Sequence, residues 1–168
     1  PNKIIPYHYD KYAQCPERYE MVTTNCLTGK ACYYEEKNNP QRIIDIVRAS
    51  SSLPFVCPIA YVDGIPMLDG GITDSIPLLR AQNEGFTENN VVVLTRNRGY
   101  RKRIKGTKVP PFIYRKYPLL REAINNRSKL YNEQLDLVER LEDEGRITVI
   151  RPQRPIEVDR IEKNIDKL

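Results

Sequence analysis

The run Val91-Val-Val-Leu-Thr95 constrains the fold more than any other part of the chain. It is unbroken, mostly β-branched and of strand length. That pattern fits a strand buried on both faces of a largely parallel sheet. Such a strand needs layers on either side, so the run predicts an α/β domain. The remaining punctuation agrees. Glu20–Cys26 reads as a strand, Leu27-Thr-Gly-Lys30 as a turn and Ala31–Tyr34 as a returning strand. Asn39 and Pro40 open a helix as N-cap and first residue. Its predicted buried face is Ile43, Ile44, Ile46 and Val47, and it is expected to end near Ser50, because Pro54 disfavours helix just before it. Asp63-Gly64 sits between Ile59–Val62 and Ile65–Leu68, a strong two-residue hairpin signal. A Pro-initiated helix follows Ser75, and Gly85 is placed to cap it. Residues 96–118 read as a long loop, and Leu119–Glu144 as a long helix. The stripe of that helix (Leu120, Ile124, Tyr131, Leu135, Val138) is interrupted by Arg127. Gly145 ends it, and Arg146–Pro152 gives the last strand.

At 168 residues the chain is long enough for one domain with a real core. The longest charge-free stretch, Ala49–Val62, is broken by Pro54 and Pro58 and is too short to span a bilayer. Four cysteines without C-x-x-C spacing exclude a zinc ribbon or thioredoxin motif and are too few for a disulfide scaffold. The first residue is Pro1 and the last segment, 156–168, has a helix-like pattern, so the chain reads as a piece of a longer protein. The compartment stays open, with the cytoplasm or the periphery of a membrane as the expected places.

Charge divides the chain unevenly. Residues 1–95 carry 8 basic and 11 acidic side chains, and residues 96–168 carry 19 and 11. No acid occurs between Glu88 and Glu122. The basic stretch 96–116, with Arg101, Lys102, Arg103 and Lys105 at its centre, reads first as a solvated loop. Its functional alternative is contact with an anionic membrane surface. No RNA- or DNA-binding signature accompanies it, so no specific nucleic acid is expected.

Catalytic motifs are few. The single histidine, His8, reads as structural. The eight glycines include no two that are four apart, so G-x-S-x-G cannot occur. Metal clusters, Walker loops and dinucleotide fingerprints are absent, and no metal or cofactor is implied. What remains is Arg48–Leu79. It holds Ala49-Ser50-Ser51-Ser52-Leu53-Pro54, then Asp63-Gly64, then Asp69-Gly70-Gly71. Taken locally, D-G-G is a turn after a strand.

Taken together, these motifs resemble the distal half of the active-site region of bacterial patatin-like phospholipases. The similarity is read on through Val91–Arg96 and Gly99–Lys102 to the Tyr131 helix, and upstream through Thr24–Lys30. The resemblance implies an α/β sandwich around a mostly parallel sheet, with 1–168 as the C-terminal part of one domain and 96–168 its helix–strand end. It also implies a lipid or other carboxylic ester substrate, a Ser–Asp dyad without histidine, and Asp69 as the dyad acid with Gly70 and Gly71 behind it. The nucleophile would lie in a missing N-terminal half, so these residues alone are expected to be inactive. Ser51, Ser52, Leu53 and Pro54 are expected to form pocket wall. The chemistry fits the residue type. A serine hydroxyl needs an adjacent base. A free carboxylate is a weak base at neutral pH, and burial beside the serine strengthens it. The alternative is a non-catalytic binding module whose loop 96–116 touches an anionic membrane surface or nucleic acid.

Overall fold

A computed structural model describes residues 7–104 and 108–155. The helix-like pattern at 156–168 and Lys105 lie outside the described residues. The chain divides into two compact units, residues 1–75 with 104–130, and residues 76–103 with 131–168.

The first unit holds α1 (Tyr9–Gln14), β1 (Glu20–Asn25), β2 (Ala31–Glu35), α2 (Pro40–Ser50), β3 (Ala60–Val62) and β4 (Ile65–Asp69). A 3₁₀ turn (Gly70–Ile72) follows β4 directly. The long helix α4 (Pro118–Asp143) contributes its residues up to Leu130 to this unit. The strands form one sheet in the order β2-β1-β4-β3. Thr24 faces Leu68 across β1–β4, and Ala60 faces Met67 across β3–β4.

This α/β architecture agrees with the layered fold expected from the sequence, but every pairing in the sheet is antiparallel. The reason is local for two of the three pairings. Strands joined by tight turns can only run antiparallel. Asp63 (φ +52°) and Gly64 (φ +76°) supply the two positive φ values that a two-residue hairpin turn needs. The short connection 26–30 returns the chain between β1 and β2.

Side-chain alternation divides the core of this unit between the two faces of the sheet. Met67 joins Met21, Ala60 and Val62 against Ile46 and Ala49 of α2. Leu68, the next residue, joins Cys26 and Ile72 against Leu120 of α4. The two central strands are therefore covered on both sides, with Thr23 and Thr24 of β1 and Pro66, Met67 and Leu68 of β4 all buried. Asn39 caps α2 as expected, its side chain accepting from the Arg42 N–H. The buried face of α2 is Ile43, Ile46 and Ala49. Ile44 is half-buried and Val47 exposed, so the apolar stripe is narrower than the sequence expectation.

The second unit holds α3 (Leu78–Asn83), β5 (Asn90–Val93), the rest of α4 and β6 (Ile147–Ile150). Pro77 immediately precedes α3, and Gly85 (φ +94°) follows it. Here β5 and β6 pair in parallel, Val92 facing Val149. Val92, Leu94 and Ile147 pack on Leu135, Val138 and Leu141. Val91 and Val93 point away and are 59% and 70% exposed. The expectation of burial on both faces thus fails for this run. The strand is apolar on both faces, but among the described residues only one face is covered. The parallel orientation inferred from the run is correct for this pair and does not extend to the four-stranded sheet.

Candidate active site

Asp69 is the last residue of β4 and is half-buried. Its backbone is held from two sides. Its N–H donates to the Ser52 carbonyl at 2.9 Å, and its carbonyl accepts from Thr24 Oγ1 at 2.8 Å. Thr24 is itself fully buried and shares a 2.8 Å hydroxyl contact with Thr73. The carboxylate is held as well. Oδ1 accepts the Gly71 N–H at 2.6 Å, as an N-cap does for a helix start. Oδ2 has no hydrogen-bond partner among the described residues. One carboxylate oxygen is therefore fixed and the other is open.

Gly70 and Gly71 act through close approach, without needing positive φ. A Cβ on Gly70 would overlap the Val22 carbonyl of β1. One on Gly71 would stand 3.0 Å from Asp69 Oδ1. The first glycine lets the chain leave the sheet edge-on, and the second lets the backbone fold back onto the carboxylate.

Sequence reasoning missed Arg127. It is the one charged position in the apolar stripe of α4, and the structure gives that interruption a reason. Arg127 Nε donates to the Gly71 carbonyl at 2.7 Å. Ser75 Oγ donates to the same oxygen at 2.8 Å. The glycine whose N–H serves the aspartate is thus held at its following peptide by a helix more than fifty residues further on. The sequence signal was the charge within the stripe, but nothing local said where it pointed. Asp74 accepts the Tyr33 hydroxyl at 2.6 Å and precedes α3 by several residues.

The A-S-S-S-L-P segment does come to the motif, through the Ser52–Asp69 backbone bond. Ser51 and Ser52 line a cleft of about 490 Å³ with Asp45, Arg48, Cys57 and Ile59. Asp69 itself, Leu53 and Pro54 are not part of its lining. The two serine hydroxyls donate back to the carbonyls of Val47 and Arg48, closing the end of α2. Burial pushes the Cys26 thiol up to about 12, so it stays protonated in the core.

The basic loop looks different once folded. Arg98 makes a forked contact with Asp143, at 2.7 and 2.8 Å. Arg101 bridges Asp136 at 2.6 Å and Glu139 at 2.8 Å. The Lys102 ammonium lies 3.5 Å from the Tyr131 ring centre. The Lys102 backbone exchanges two hydrogen bonds with the Asn132 side chain. Arg103 is exposed. The acids missing between Glu88 and Glu122 are thus provided by one face of α4. Among the described residues no group of His, Cys, Asp and Glu could hold a metal ion, and no helix is long and apolar enough to cross a membrane.

No curated protein matches this chain. Residues 117–168 match the family model of a domain of unknown function, DUF6363. Residues 27–81 match that of patatin-like phospholipase. The second match ends before Val91, so the likeness read further along the chain has no counterpart in it. It contains the Ser51–Ser52 cleft wall and the Asp69-Gly70-Gly71 turn, and it supports kinship with a patatin-like family of lipid hydrolases.

Proposed function

We propose that this chain supplies the carboxylate half of a serine-dependent lipid acyl hydrolase, with Asp69 as the general base of a Ser–Asp dyad. The observation that carries the reading is the asymmetric carboxylate. Oδ1 is anchored by the Gly71 N–H, and Oδ2 has no partner among the described residues. A base needs this arrangement, fixed in direction but open at one lone pair. The serine belongs to sequence outside these 168 residues, because no G-x-S-x-G occurs within them.

In this mechanism Oδ2 takes the proton from the serine hydroxyl as its oxygen attacks the ester carbonyl. The protonated carboxyl then returns that proton to the leaving alkoxide, and an acyl-enzyme remains. Water repeats the sequence. Asp69 removes its proton, the hydroxide attacks the acyl group, and the serine is released with the proton restored. The match over residues 27–81 and the close packing of both glycines support this assignment.

The test is hydrolysis of a short-chain chromogenic ester by the polypeptide that carries both the serine and this chain. Asp69→Asn keeps the size and the Gly71 contact but removes the base. Turnover should fall by roughly 10²–10⁴-fold, the usual worth of general acid–base catalysis, with the fold intact. The 168-residue chain alone should be inert. Near-normal turnover in the Asn variant would refute the assignment.

A further inference from the structure

Two turns of the first unit display apolar side chains that nothing described covers. Phe55 and Val56 are 58% and 72% exposed, and Phe112 is 76% exposed. The backbone beneath them is strained. Phe55 has φ +69° and Tyr114 φ +51°, both in the left-handed region that bulky residues avoid. The two strained residues hold each other. The Phe55 N–H donates to the Tyr114 hydroxyl at 2.9 Å, and their rings lie 5.7 Å apart. Strain of this kind persists where surrounding contacts enforce it and clusters at working surfaces. Here it turns large apolar groups outward.

The same region is cationic. The turns 110–113 and 114–117 follow one another, closed by the Ile113 N–H to Pro110 and the Tyr117 N–H to Tyr114. Arg115 and Lys116 occupy the centre of the second turn, and both are exposed. Neither has an ion-pair partner among the described residues, in contrast to Arg98 and Arg101. No acid lies nearby in sequence before Glu122. Exposed apolar tips beside unneutralised cations complement an anionic bilayer, where the tips enter the acyl boundary and the cations meet phosphate. A protein partner would need acids opposite the cations and a larger continuous apolar face.

We propose that the turns at 53–57 and 110–117 are a docking surface for an anionic lipid bilayer. The inference deepens the lipid-hydrolase reading by naming the physical form in which substrate is met, and it rests on that reading for its purpose. Binding requires no turnover, so a failure here is distinguishable from a failure of the Asp69 assignment.

The experiment is co-sedimentation of the chain with vesicles of phosphatidylcholine, with and without phosphatidylglycerol. The chain should bind the phosphatidylglycerol vesicles and release as salt rises. Arg115→Gln with Lys116→Gln should weaken binding about fivefold per charge removed. Val56→Ser with Phe112→Ser should weaken it by at least about tenfold. These four side chains are exposed, so an unchanged thermal melt is expected and serves as the folding control. Absence of binding to either vesicle would overturn the proposal, as would binding indifferent to both double variants. So would a dimer that dissolves in the Val56→Ser, Phe112→Ser variant while vesicle binding stays absent, because the occupant would then be a second copy of the chain.

Discussion

At the scale of single residues, the arrangement around Asp69 holds one carboxylate oxygen and leaves the other without a partner among the described residues. Four contacts fix the aspartate and its glycine neighbour: Ser52, Thr24, Ser75 and Arg127. Under the proposed mechanism Arg127 is a positioning residue, because it reaches the Gly71 carbonyl and would act on the carboxylate through the backbone. A net hydrogen bond of about 1–1.5 kcal/mol corresponds to roughly tenfold in rate if it is felt only at the transition state. In the proposed hydrolase, Arg127→Ala should therefore lower kcat about tenfold and leave KM unchanged. Arg127→Lys should not restore it, since a flexible ammonium cannot reproduce the Nε geometry. A purely structural role would show as a lowered melting temperature with kcat intact, and steady-state kinetics beside a thermal melt decide between the two.

At the scale of elements, what could be read from sequence was what the chain settles locally. Asn39-Pro40 starts α2, and Asp63-Gly64 turns β3 into β4, because cap and turn chemistry act over a few residues. Sheet direction was not legible in the same way. Val91–Leu94 announced an apolar strand, but composition cannot say which neighbour covers it, and the doubly covered strands proved to be β1 and β4. The candidate site divides similarly. Asp69, Gly70 and Gly71 were visible as a motif, whereas Arg127 and the acids opposite the basic loop come from distant parts of the chain.

Those acids make the second unit pH-sensitive. The Arg101 guanidinium, helped by the Gly99 N–H, holds the Glu139 carboxyl down at about 2. That is below the ordinary glutamate value expected in the unfolded chain, near 4.3. Glu139 therefore contributes its full stabilisation above about pH 4.3 and loses it as pH falls toward 2. Urea midpoints should decline over that interval, and Glu139→Gln should decline less steeply while being weaker at pH 7. An identical slope in the variant would show that other carboxylates carry the acid sensitivity.

At the scale of the whole molecule, net charge is a poor guide to partners. The chain carries a formal charge of +5, and the excess lies after residue 95. Read as a linear pattern, this invites a nucleic-acid ligand. Folding removes part of the invitation, because Arg98, Arg101, Arg146 and Arg151 each meet an acidic side chain. A cation already paired with a carboxylate must break that pair before it can neutralise a phosphate. It then adds little to the counterion release that drives such binding. Single-stranded oligonucleotide should accordingly bind weakly at physiological salt. The slope of log K against log salt should fall below that of nineteen available cations, because the four ion-paired arginines add little to it. Fluorescence anisotropy across a salt series measures it. A steep slope with tight binding would mean that the α4 acids yield their arginines to phosphate, and would move the binding-module reading ahead of the hydrolase.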